Sequence, residues 1–150
     1  MRAQLSAVVV LLLALAGASD AVLSQGAACA KADFEAVVNA AGVALRDLTQ
    51  QNTPVFQAKL RELKDKRSWS NDEFMKQAEP LVRDETIAGF DKKSEELVTR
   101  IASGGGRSEA EPAPDCTVLT GLQGDLKLLV ETQQAKWTHM LAKVEKELAK

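Results

Sequence analysis

A chain of 150 residues has room for one domain. It is 45% hydrophobic and 27% charged, with a formal net charge of −2. That balance fits an ordinary water-soluble domain and excludes a bulk electrostatic pull towards nucleic acid or an anionic membrane. With two tryptophans, four phenylalanines and no tyrosine, the side chains that most often anchor tight interfaces are scarce.

The first 21 residues have the form of a cleaved signal peptide. Arg2 supplies a minimal positive start, Leu5 to Ala16 is an apolar run, and small residues follow, with cleavage expected after Ala18 or Ala21. The run is too short to span a bilayer, which takes about 20 apolar residues. No later stretch is long enough either, so residues 22–150 are expected to form a single exported helical domain, periplasmic or extracellular. The only two cysteines, Cys29 and Cys116, then suggest one intrachain disulfide. The alternative, two buried free thiols, suits a reducing compartment better. The bridge would close a loop for which chain entropy gives roughly 4–5 kcal/mol. No CxxC or CxxCH occurs, which argues against thioredoxin-type redox chemistry and against covalent haem attachment by that motif.

After a loose stretch from Val22 to Ala32, Asp33 is positioned to cap a first helix. Phe34, Val37, Val38, Ala41, Leu45 and Leu48 fall on one face, and the helix is expected to end near Gln51 or Asn52. Thr53-Pro54 reads as the start of a second, short helix with Phe56, Leu60 and Leu63 as its stripe. Its outer face is basic, with Lys59, Arg61, Lys64, Lys66 and Arg67, which reads as a solvated face or as one that meets an acidic contact. Ser70 and Glu73 form a capping box for a third helix, with Trp69 and Phe74 placed as a hydrophobic staple. Pro80 predicts a kink or restart. Beyond it Ile87, Phe90, Leu97 and Ile101 continue at helical spacing, with Ser94 as a polar step, out of phase with Phe74, Ala78 and Leu81.

Residues 103–115, rich in glycine, serine and proline, read as a flexible linker that stops this helix. Extended, it would run roughly 40 Å, enough to carry Cys116 back to Cys29. From Cys116 the chain reads as one long helix. Leu119, Leu122, Leu126, Leu129, Trp137, Met140, Val144 and Leu148 form its stripe, and Gln133 is the polar step. A helix of roughly 45 Å needs partner helices along that face. No sustained alternation of period two occurs. The expected fold is all-α, a three- or four-helix bundle in which a Cys29–Cys116 bridge makes the first and last helices parallel.

Chemistry-bearing patterns are few. His139 is the only histidine, and a half-buried or surface role is expected; no Glu-x-x-His pair accompanies it, so no metal site is expected. No GxSxG nucleophile turn occurs, and the adjacent carboxylates Asp84-Glu85 and Glu95-Glu96 point apart on a helix. Gly104 to Gly106 lacks the spacing and the preceding strand of a phosphate loop. No enzyme activity and no cofactor are expected.

Leu119-Thr120-Gly121-Leu122-Gln123 resembles the LTxxQ signature of the Spy-like periplasmic helical chaperones. The resemblance implies a small exported helical protein that shields unfolding clients without ATP. The same residues also read as a capping box, Thr120 at N-cap and Gln123 at N3. The expected role is therefore protein binding or a structural part in the cell envelope, with an ATP-independent holdase as the alternative and an enzyme or metal-handling protein as a remote one. The partner, an unknown protein or client, is expected on Phe56, Leu60, Leu63, Trp69 and Phe74, rimmed by Lys59, Lys64 and Arg67.

Overall fold

The structure, a computed structural model, describes residues 29–110 and 115–150. The expected signal peptide, 1–21, and residues 111–114 of the expected linker lie outside the described residues. Among the described residues the chain forms four helices and no strand: α1 Lys31–Lys66, α2 Asn71–Val82, α3 Glu85–Ala110 and α4 Cys116–Leu148.

α1 begins earlier than expected. Ala30 is its N-cap, and Asp33 acts from the third helical position, its Oδ2 accepting from the Ala30 N–H at 2.9 Å. A carboxylate there satisfies an orphan donor and faces the positive end of the helix dipole. The helix also continues through Pro54, where a break and a separate second helix were expected. Pro54 has no N–H to give to the Gln50 carbonyl. The turn before it is reinforced by side chains: Asn52 Nδ2 donates to the Leu48 carbonyl at 2.7 Å, and Thr49 Oγ1 to the Leu45 carbonyl at 3.0 Å. Phe34 before the proline and Phe56 and Leu63 after it are all buried in clusters shared with α4, and that packing carries the helix across. α1 ends in a Schellman motif, with Ser68 in the left-handed conformation at φ 52. The Ser68 N–H reaches the Asp65 carbonyl and the Trp69 N–H the Lys64 carbonyl, both at 3.0 Å.

α2 opens on the expected box: the Ser70 N–H donates to Glu73 Oε2 at 2.9 Å, and the Glu73 N–H donates to Ser70 Oγ at 3.3 Å. Pro80 lies within its last turn, and the restart comes at Arg83–Asp84. Asp84 draws it there. Its Oδ1 accepts from the Ile87 N–H at 2.7 Å and its carbonyl from the Ala88 N–H at 2.9 Å, an N-cap for α3.

The expected linker 103–115 is in large part helix. α3 runs through Ser103 and Gly104 to Gly106 as far as Ala110. No described glycine takes the positive φ by which a glycine ends a helix. Without that turn, glycine makes propagation costlier by about 1 kcal/mol each but does not forbid it.

α4 is the axis of the molecule. α1 runs parallel to it, from the Cys29–Cys116 disulfide at one end, past Phe56 against Trp137, to Leu63 and Val144 at the other. α3 runs antiparallel to it. Arg100 pairs with Asp125 at 2.8 Å, Gln133 Nε2 donates to Ser94 Oγ at 2.7 Å, and Lys136 pairs with Asp91. α1 and α3 make almost no contact with each other. The core is accordingly two apolar clusters strung along α4. One joins Phe34 to Leu119, Leu122 and Leu126 near the disulfide; the other joins Phe56, Leu63, Leu81, Ile87, Met140 and Val144. The two polar steps of the sequence, Ser94 and Gln133, meet each other between them, so neither is left unpaired.

Candidate interaction surface

The residues expected to form a partner surface are brought together, but as interior. Phe56 and Leu63 are buried, and Leu60 and Trp69 pack half-buried against the same cluster. Phe56 meets Trp137 edge to face, with ring centroids 6.1 Å apart. Phe74 is half-buried beneath Lys64, whose Nζ stands 5.8 Å from the ring centroid and also bonds Asn71. The basic rim is engaged within the chain as well. Lys59 pairs with Glu145 at 3.0 Å, and Arg67 donates to the Glu147 carbonyl at 3.0 Å. Lys66 donates to the Leu148 carbonyl. Lys66 and Arg67 thus supply donors to the orphan carbonyls at the C-terminus of α4, where two parallel helices bring their negative ends together.

His139 is half-buried at a different node. Its Nε2 lies 3.0 Å from Asp84 Oδ2, and its ring stands edge-on to Phe90. Lys143, one turn on, bonds both the same carboxylate oxygen and the Pro80 carbonyl at the end of α2. The His139 hydrogen bond first, then Lys143 and the Ile87 N–H, hold the Asp84 carboxyl well below the usual carboxylate range. The node pins the α2–α3 corner to α4. Among the described residues no group of three or more His, Cys, Asp or Glu side chains is placed to hold a metal ion, and no helix is long and apolar enough to cross a membrane.

The open apolar surface lies elsewhere, on the first half of α1. From Ala36 to Leu45 no side chain is charged on any face of the helix. Val38 and Val43 are each 47% exposed, and Val55 is 45% exposed on the far side of the proline. Val38 therefore stands outside the buried stripe to which its spacing assigned it. Beside this stretch a groove of about 460 Å³ runs between α1 and α4. Val37, Ala40, Ala41, Ala44, Leu126 and Val130 line it, with Gln123, Lys127 and Glu131 at its edge. The sequence did carry a signal for it: ten uncharged residues, in a helix whose buried stripe needs only about half of them.

The LTxxQ residues lie inside α4. Leu119 and Leu122 are core, and Thr120 Oγ1 donates to the Cys116 carbonyl at 3.0 Å. The cap expected of Thr120 belongs to Asp115, whose Oδ1 accepts from the Thr117 N–H at 2.9 Å, because α4 begins one turn earlier. Comparison with protein-family models, with curated proteins and with solved structures finds no match to this chain.

Proposed function

We propose that this is an exported protein, periplasmic or extracellular, that acts through protein contacts as a binding or structural component of the cell envelope, without catalysis. The observation that carries the reading is the uncharged, half-exposed stretch Ala36–Leu45 with the apolar groove beside it. A helix face without charge is costly to leave in water and favours a protein neighbour. Disulfide closure of α1 onto α4 supports an oxidising compartment. A photo-crosslinking residue at Val43 tests the reading in the exported fraction. Adducts at Val43, absent from the same probe at exposed Lys92 and lost with Ala40→Glu, support it. No adduct, or equal labelling at Lys92, removes it.

One observation favours a holdase as the second reading. α2 is the shortest helix and is held to the rest mainly by side chains, Leu81 in the cluster of Phe56 and Leu63, Asn71 and Phe74 on Lys64, and the Pro80 carbonyl on Lys143. A short helix held by so few side chains can lift and uncover apolar surface. Suppression of light scattering from a reduced, aggregating client by a few-fold molar excess of the protein supports this reading. No suppression at that excess removes it.

A further inference from the structure

We infer that the Cys29–Cys116 disulfide is a redox latch on the groove between α1 and α4. Oxidised, it holds the front half of α1 on α4, and the groove exists. Reduced by an exported dithiol, it lets that half swing away about Pro54, and the groove comes apart. The latch stands on the fold alone; that it governs binding rests on the reading of Ala36–Leu45 as a contact surface.

The two halves of α1 are held in different ways. Beyond the proline, Phe56 and Leu63 are buried, Lys59 pairs with Glu145, and Lys66 and Arg67 donate to the Leu148 and Glu147 carbonyls. Before it, among the described residues, no ion pair or side-chain hydrogen bond joins residues 31–55 to another helix. Thr49 and Asn52 donate within α1, and Lys31 pairs with Glu35 on the same helix. Phe34 is the one buried side chain of that half, with Val37 and Ala41 half-buried beside it. One phenylalanine stands against the entropy of holding about twenty residues in place, which leaves the bridge as the main tie.

The register of the two halves on α4 differs as well. The groove sets Val37–Ala44 beside Gln123–Glu131, the same offset as the 87 residues of the bridge. Phe56 faces Trp137, about six residues short of that offset. The change falls between Ala44 and Phe56, where no side chain is buried and Pro54 leaves the Gln50 carbonyl without its helical donor. A helix bends with least resistance at such a place, which makes it the hinge. The groove lies wholly on the latched side. Val37, Ala40, Ala41 and Ala44 form one wall and Leu126 and Val130 the other, so the groove lasts only while the front half is docked.

Both cysteines are half-buried, beside exposed Ala30 and Asp115, so a thiolate has access to the bridge. A thiolate of the donor attacks one bridge sulfur. The S–S bond breaks, and its electron pair leaves on the other sulfur, which takes up a proton. The donor's second thiolate then displaces the attacked cysteine and closes the donor's own disulfide. Two electrons and two protons have passed to Cys29 and Cys116.

The test is native-state hydrogen exchange of the mature protein, oxidised and in millimolar dithiothreitol. Dithiothreitol is expected to reduce the folded protein. Amides of residues 31–50 then lose at least about tenfold in protection, while residues 57–66 and α4 beyond Trp137 lose far less. The Cys29→Ser, Cys116→Ser pair shows the same pattern without reductant. A bridge that yields only in denaturant overturns the latch, as does an unchanged front half or an equal loss on both sides of the proline. The photo-crosslinking residue at Val43 reads the groove. Adducts are expected from the oxidised protein and lost in the reduced protein and in the serine pair. Adducts that persist once the front half is released overturn control of the groove. No adduct in either form removes the contact-surface reading, and the exchange pattern alone then upholds or overturns the latch.

Discussion

Cys29 and Cys116, 87 residues apart in the chain, stand with their Cα atoms 5.1 Å apart where α1 and α4 begin. The bond fixes the parallel register of the two longest helices at one end, and Lys66, Arg67, Leu63 and Val144 hold it at the other. Reduction is expected to lower stability by about 2–5 kcal/mol while leaving the helices largely formed. Urea unfolding with and without reductant measures it. An unchanged midpoint would show that the far end sets the register alone.

Acid should act through the α2–α3 corner. The Asp84 carboxyl is held below its ordinary value, so its stabilisation is fully present above about pH 4, the unfolded value, and is lost as pH falls below it. Asp125, beside Arg100, and Asp115, at the α4 cap, are lowered in the same sense. Urea midpoints should therefore fall between about pH 4 and pH 2. Asp84→Asn should lower the midpoint at pH 7 and flatten that acid limb, because the neutral amide has no such proton to gain. An acid limb as steep as the parent's in Asp84→Asn would reject the assignment.

His139 contributes to that corner and to nothing on the α1 face. His139→Ala is expected to leave crosslinking at Val43 unchanged, with a modest fall in melting temperature. Loss of that crosslink at full helicity would show that the corner communicates with the surface.

Burial separates two groups of apolar residues. Leu63, with no exposed surface, should cost about 2–5 kcal/mol when cut to alanine, and Val144 slightly less. Met75, 70% exposed, should change stability by under about 0.5 kcal/mol as alanine. Thermal or urea unfolding of the three variants decides whether the Phe56–Leu63 cluster is interior.

Two backbone positions should yield stabilised variants. Pro54→Ala restores an N–H for the Gln50 carbonyl and should add about 1–3 kcal/mol. Ser68→Gly relieves a left-handed conformation that costs an L-residue about 1–2 kcal/mol, partly offset by the freer unfolded chain. A fall in midpoint for Pro54→Ala would mean that α4 packing depends on a bend at the proline.

What the sequence determined by itself was written over short distances. Ser70 and Glu73 specify their capping box within three residues, and the stripe of α4 repeats every three or four. Two cysteines in the whole chain leave one intrachain pairing. Ser94 and Gln133 were legible as polar steps in two apolar stripes, whereas their meeting was supplied by the fold. Tertiary structure decided the rest. Pro54 and Gly104 to Gly106 carry penalties of about 1–3 kcal/mol that predict breaks, and the helices run through all of them. Residues distant in sequence supply the reason at Pro54: burial of Phe34, Phe56 and Leu63 against α4 on both sides of the proline is worth more than the bond it removes. The same long-range packing decided which apolar side chains of α1 are open. Whether Phe56 or Val38 faces water depends on where α4 lies against α1, and no spacing within α1 sets that.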